Sequence, residues 1–256
     1  MIRSVLQGIG ETVELLWQTG LSLPLVFRQR RKIFEQCYEI GNGSLLMVCI
    51  LSFFIGSVLT LQTGPVLAGR GLVNYVGGLV GYSIARELAP VLMSILIAGR
   101  VGSAMASEIG SMKVFEEVDA LRSMKINPIH FLVLPRMAAI AVVLPMLVLF
   151  AILSGWLGGA LIAAVNHEID VAPQAFFEQL REVVKASDIV HGLLKTFVFA
   201  IFIGAISCHQ GFTTKGGPHG VGRSAMRAVV FSIVTIVILD YALSRFLMLL
   251  ENWNPN

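Results

Sequence analysis

The sequence predicts an all-α integral membrane protein: an N-terminal amphipathic helix lying in the interface, then about five transmembrane helices. Three observations predict it. Of 256 residues, 55% are hydrophobic and only 14% charged, and the mean hydropathy is +0.78. A soluble domain of this length needs far more charge to cover its surface. Several apolar runs reach the ~20 residues that cross ~30 Å of hydrocarbon. Lysine and arginine are also spread unevenly between the connecting segments, the mark of an oriented chain. On this reading residues 1–43 form an N-terminal helical segment, 44–250 a single transmembrane domain and 251–256 a tail.

The first element is read from Ile2, Val5, Leu6, Ile9, Val13, Leu16 and Trp17, which recur at helical spacing with Arg3, Gln7, Glu11, Glu14 and Gln18 opposite. A strong moment with modest hydrophobicity suits a helix lying in the membrane surface. A helix packed on the protein itself is the alternative. Glu11 and Glu14 interrupt the run and no A-x-A site follows, so it is not read as a cleavable signal. A basic run, Arg28, Arg30, Arg31 and Lys32, comes next.

The spans follow in order. The first covers 44–66, and a Gly-rich connection with some helix occupies 69–87. The second covers 88–107, and the most charged internal segment, 112–128, separates it from the third, within 131–165. Pro135, Pro145, Gly155, Gly158 and Gly159 predict a kinked or tilted third span. Residues 166–188 are polar with an amphipathic middle, the fourth span lies at 189–208, and a Gly-rich loop covers 209–224. The fifth span runs over 228–250, and Trp253 follows as an interfacial anchor.

With the N-terminus in the cytoplasm, the inside segments carry twelve Lys and Arg residues and the outside segments four. The positive-inside rule therefore orients the chain N-in and C-out, and places 112–128 in the cytoplasm.

Enzyme motifs are missing: there is no HExxH, no GxSxG and no paired-cysteine metal spacing. Cys37, Cys49 and Cys208 read as small apolar fillers. Gly217 to Ser224 has the GxxxxG spacing of a phosphate loop, but Arg223 stands where lysine belongs and the stretch lies between spans. The chain is thus expected to be no enzyme and to hold no metal or cofactor, any ATP being bound by a partner. Its net charge of +3, with no basic stripe among aromatics, excludes nucleic acid.

Within 112–128, Val114, Val118 and Leu121 define an apolar face, with Glu116, Glu117, Asp119 and Arg122 opposite and Asn127-Pro128 as the stop. Such a helix either docks into a groove on a soluble partner or is a solvated loop helix. Gly102, Ala106 and Gly110, and again Gly155 and Gly159, give small residues at a spacing of four, read as close helix packing. Arg100 and Glu108 sit near the cytoplasmic end, where they can snorkel.

Lys195 and Asp240 lie deep in the fourth and fifth spans, about 20 Å and about 18 Å above the cytoplasmic border. An unpaired charge there costs at least ~2.5–3.5 kcal/mol. They form a structural ion pair, or a substrate or proton site; Arg86-Glu87 could line the same region and Arg245 snorkels outward.

At this point several words fall into a familiar order. Arg86-Glu-Leu-Ala-Pro90, Ala98-Gly-Arg-Val-Gly-Ser-Ala104, Ser107-Glu-Ile-Gly110, Glu116-Glu-Val-Asp-Ala-Leu and Met124-Lys-Ile-Asn-Pro128 resemble the MlaE (YrbE) permease family. The likeness covers roughly 45–250 and is densest over 86–136.

The resemblance implies the permease subunit of an ABC transporter that moves phospholipid or related lipid between bacterial membranes. It implies a homodimer in the inner membrane, with a cytoplasmic ATPase, a periplasmic MCE-domain protein and a STAS-domain accessory protein. It makes 112–128 a coupling helix, with Glu116, Glu117, Asp119, Leu121 and Met124 as ATPase contacts. It also implies a lipid cavity at the dimer axis, matched here by Leu61, Gln62, Gly64 and Leu67 with Glu87, Lys195 and Asp240 as polar groups. The rival is an ion-coupled secondary transporter using Lys195 and Asp240, but no internal repeat is found and five spans divide poorly into inverted halves.

Overall fold

The computed structural model describes residues 2–21 and 29–253, and among them helix is the only regular structure. Arg28 of the basic run lies outside the described residues, as do the side chains of residues 2–7, Ile9 and Trp253. The helices are α1 (Ile2–Leu21), α2 (Arg30–Ala68), α3 (Val73–Val114), α4 (Glu117–Ser123), α5 (Ile129–Val165), α6 (Pro173–Val183), α7 (Ala186–Phe212) and α8 (Gly217–Trp253). Five of them, α2, α3, α5, α7 and α8, are long and apolar enough to cross a membrane, as the apolar runs predict.

The boundaries differ from the sequence reading where polar residues continue a helix. The helix of the first span begins at Arg30 rather than 44, because residues 31–43 contain no proline to stop it. Residues 73–87, expected as a connection with some helix, are the first half of α3. The Gly-rich loop shrinks to 213–216, since α7 runs to Phe212 and α8 starts at Gly217. Gly216 and Gly217, at φ 91° and 65°, make that turn in a region L side chains avoid. The residues with phosphate-loop spacing are therefore the first turns of a helix.

Two π turns, Ile84–Leu88 and Ala98–Gly102, interrupt α3, and a third, Ile129–Val133, opens α5. Two precede prolines, and the cause is local. Pro90 has no N–H for the Arg86 carbonyl, and Ala89 instead donates five residues back to Ile84. Pro135 follows the third turn, where Leu134 reaches back to Ile129 in the same way.

The chain divides into two compact units to which every long helix contributes: Met1–Gly41, Ser94–Leu144 and Phe197–Leu243; and Asn42–Met93, Pro145–Thr196 and Ser244–Asn256. In the first, Leu15 of α1 joins Ile109, Val133, Met137, Ala205 and Cys208 in one core, with Leu16 packed against it. Val13, Trp17 and Leu21 of α1 form a second apolar stripe that stays exposed, Trp17 to 71%. The helix thus packs on the protein by one face and bares another. The small face of α3 is spent on α7, as its spacing predicts: a Cβ on Gly211 would stand 2.7 Å from Ile109 and 3.0 Å from the Ala106 carbonyl.

In the second unit, α2 packs on α5 so closely that a Cβ on Gly56 would lie 1.9 Å from the Gly155 carbonyl oxygen. Serine hydroxyls lace the pair: Ser52 donates to the Ala151 carbonyl at 2.6 Å and Ser154 to the Cys49 carbonyl at 2.7 Å. Donors so placed satisfy themselves where hydrocarbon offers no partner. Helix α6 lays its apolar face, Phe176 and Leu180, on the glycines at the start of α3.

Candidate functional site

Two constellations carry the polar chemistry, one in each unit. The first is the corner between the second and third spans. Helix α3 stops at Val114, Glu116 adopts a left-handed φ of 62°, and α4 leaves in a new direction over Glu117–Ser123. Lys125, at φ 59°, closes the other end; its N–H donates to Arg122 and that of Ile126 to Leu121, a Schellman pattern formed without glycine. The Asn127 side chain then accepts from the Ile129 N–H and starts α5.

Burial sorts the side chains of this corner. Val118 and Leu121 turn inward and pack with Leu132, against Met112 and Phe212. Leu121, expected as an ATPase contact, is thus placed in the chain's own core. Asp119, expected to face the same way, accepts from Lys113 at 2.6 Å and from Arg122 at 3.2 Å. The hydrogen bond and charge of Lys113, helped by Arg122, hold its carboxyl below the ordinary value. Glu116, Glu117 and Met124 are exposed. Beside them stand Phe115, 70% exposed, and Ile126. The sequence reading passed over Phe115, although it is the one aromatic in 112–128. Glu108, read as snorkelling, accepts from Arg136 of α5 at 3.0 Å.

The second constellation is built on the first π turn. There Arg86 and Glu87 are consecutive, and both reach α7. Arg86 donates to Asp188 at 2.9 Å, with side chains only 8% and 5% exposed. The other Asp188 oxygen accepts the Lys185 N–H at 3.0 Å, capping α7. Two turns on, Lys195 donates to Glu87 and to Ser244, both at 2.7 Å. Between the two pairs, a Cβ on Gly192 would lie 2.4 Å from the Ala85 carbonyl oxygen, so only glycine lets the backbones close to this distance. Lys195 is 1% exposed and Glu87 39%, so the ammonium is shut in and the carboxylate is its open side.

Of the sequence-predicted lipid-site residues, Glu87 and Lys195 are therefore together, with Ser244 and the Arg86–Asp188 pair as additions. Ser244 carries no signal in the sequence; its role is decided by the packing of α8. Asp240, half-buried and engaged, belongs to the first unit. At the end of α2, Leu61 and Gln62 are exposed and Leu67 is half-buried. Gly64 is buried, the place of its missing Cβ taken by Ile169 at 2.2 Å.

The chain is similar to known proteins. The family described as Permease MlaE matches residues 33–246. A probable ABC transporter permease protein of Synechocystis is 39% identical over 215 residues, covering 84% of this chain and 81% of its own. TRIGALACTOSYLDIACYLGLYCEROL 1, a chloroplastic protein of Arabidopsis thaliana, is 36% identical over 90% of this chain and 68% of its own length. A probable ABC transporter permease protein of Rickettsia prowazekii is 37% identical over 83% and 82% of the two chains. The match spans all five long helices and both constellations, and the chain belongs to the MlaE permease family of ABC transporter permeases.

Proposed function

We propose that this chain is the membrane-spanning subunit of an ATP-driven bacterial lipid transporter. The observation that carries it is the corner at α4, where exposed Phe115, Glu116, Glu117 and Met124 project between two spans of an ABC-type permease. Such a surface suits a groove on a separate ATPase. The lipid assignment draws support from the relative that bears a galactolipid's name and from the long apolar flanks of the spans.

In this reading the chain lies in the inner membrane as a homodimer, N-terminus inside and C-terminus outside. An MCE-domain protein meets its periplasmic side, and a STAS-domain protein accompanies the ATPase. Lipid occupies a cavity at the dimer axis, its acyl chains against Leu61 and Leu67. Gln62, Glu87, Lys195 and Asp240 are the polar groups for its headgroup. A phosphodiester headgroup competes with Glu87 for the Lys195 ammonium, the one polar group there that carries a stabilising positive charge. ATP closes the ATPase dimer, α4 moves with it, and the cavity changes shape.

Purification in mild detergent, with identification of subunits and extraction of lipid, tests the reading. An ATPase subunit and phospholipid are expected. Reversing both Glu116 and Glu117 to lysine is expected to abolish ATPase association or lipid-stimulated ATP turnover. Wild-type turnover in that variant rejects α4 as the coupling element.

A further inference from the structure

Resting on the reading of α4 as the docking element, we infer that its anchor is Phe115, held outward by the Lys113–Asp119 clasp, and that the receiving surface is an apolar pocket with a basic rim. The short helix has already spent one apolar face inward, on Val118 and Leu121. Phe115, Met124 and Ile126, exposed by 70%, 61% and 37%, are apolar side chains at the two ends of α4 that the described residues do not cover. An aromatic in such a set is the usual energetic centre of an interface.

The turn that presents Phe115 is strained. Glu116 stands at φ 62°, a region that residues other than glycine rarely occupy and that persists only where neighbours hold it. The holding group is Lys113, in the last turn of α3, which reaches Asp119, in the first turn of α4, at 2.6 Å. The bond spans the corner from one side of Phe115 and Glu116 to the other. Asp119 is thus a positioning residue, acting through Phe115 and not by touching the partner. Charge chooses the partner's chemistry. Exposed Glu116 and Glu117 follow Phe115 directly, whereas Lys113 and Arg122 are both bound to Asp119 and exposed Lys125 stands at the far end of α4, so the carboxylates next to the aromatic attract a basic rim.

The test uses the full chain and the ATPase subunit that co-purifies with it, recognised by its phosphate-binding loop and ATP turnover. Phe115→Ala is expected to weaken their association at least tenfold, with the elution profile and bound lipid unchanged. Asp119→Asn is expected to weaken it severalfold alone but to add nothing in the Phe115→Ala background. The exchange of Lys113→Asp with Asp119→Lys restores binding to within about twofold of wild type. In a Phe115→Trp variant in vesicles of brominated phosphatidylcholine and phosphatidylglycerol, the indole emission shifts to the blue on adding the ATPase and is not quenched by the lipid. Quenching by the brominated chains, with no response to the ATPase, assigns Phe115 to the membrane and overturns the inference. Wild-type affinity in Phe115→Ala, with binding still lost on reversal of Glu116 and Glu117, overturns the anchor and leaves α4 as the docking element. If neither change weakens binding, or no ATPase accompanies the wild-type chain, that reading falls too. Additive losses from Asp119→Asn and Phe115→Ala reject the clasp.

Discussion

Two aspartate ion pairs, one with arginine and one with lysine, serve opposite purposes. Arg86–Asp188 joins a π turn to the start of α7 at 2.9 Å with both side chains under one-tenth exposed, while Lys113–Asp119 closes an exposed corner at 2.6 Å with side chains 29% and 47% exposed. The shorter bond is the weaker constraint. Water screens the exposed pair and competes for both partners. The buried pair is shielded from that competition, and losing one member takes the counter-charge from a buried group. One pair therefore fixes helices, and the other biases the direction of a small one.

The largest expected effect breaks the buried member of this comparison. Asp188→Asn removes the carboxylate that faces the buried Arg86 guanidinium and costs about 3–5 kcal/mol. That corresponds to a fall of roughly 6 °C or more in the unfolding midpoint of the purified chain. An unchanged midpoint means that water or another group already neutralises Arg86.

Next comes a test of packing without charge. Gly56→Val drives a side chain into the Gly155 carbonyl, 1.9 Å from an ideal Cβ, and costs about 1–3 kcal/mol through separation of α2 and α5. The matching change at Gly222, where a Cβ meets nothing within 4 Å, is expected to leave the midpoint in place.

A third substitution leaves the fold standing and reads function. Lys195→Met combined with Asp240→Asn is expected to lower the lipid recovered with the complex while subunit assembly persists. Normal lipid content by mass spectrometry makes these charges structural only.

The smallest effect belongs to the exposed pair. The Asp119 carboxyl is held below its ordinary value of 3.8 by Lys113 and Arg122. Its contribution is full above that pH and fades as pH falls from 3.8 through the depressed value. Protection of the amides of residues 117–123 against hydrogen exchange, relative to their intrinsic rate at each pH, is expected to hold from neutrality down to about that pH and to fall only below it. A fall in protection near pH 6 points to a histidine instead and excludes Asp119 as its cause.

Much of this was legible because hydrocarbon imposes simple rules. Long apolar runs announced the five spans, and the small-residue spacing of Gly102, Ala106 and Gly110 announced a close helix face. The acidic words around Glu116 marked the corner between spans. What stayed illegible depended on contacts between distant segments. Periodicity put Val114, Val118 and Leu121 on one helix, but the chain breaks at Glu116 and places Val114 at the end of the preceding one. Nothing in the residues around Asp119 says that Lys113 consumes it, since two residues six apart meet only when the helix between them turns a corner.

The sequence by itself determined the class of the molecule, the number of its crossings and the family, because the bilayer demands apolar length and the family words are local. Only the tertiary structure decided the partners of the charges. Lys195 is shut in against Glu87 and Ser244, and Asp188 holds Arg86, because glycine at 192 and the widened turn before Pro90 bring two backbones close enough for those side chains to meet. Pairing between residues 49 to 108 positions apart is a property of packing, and no local pattern encodes it.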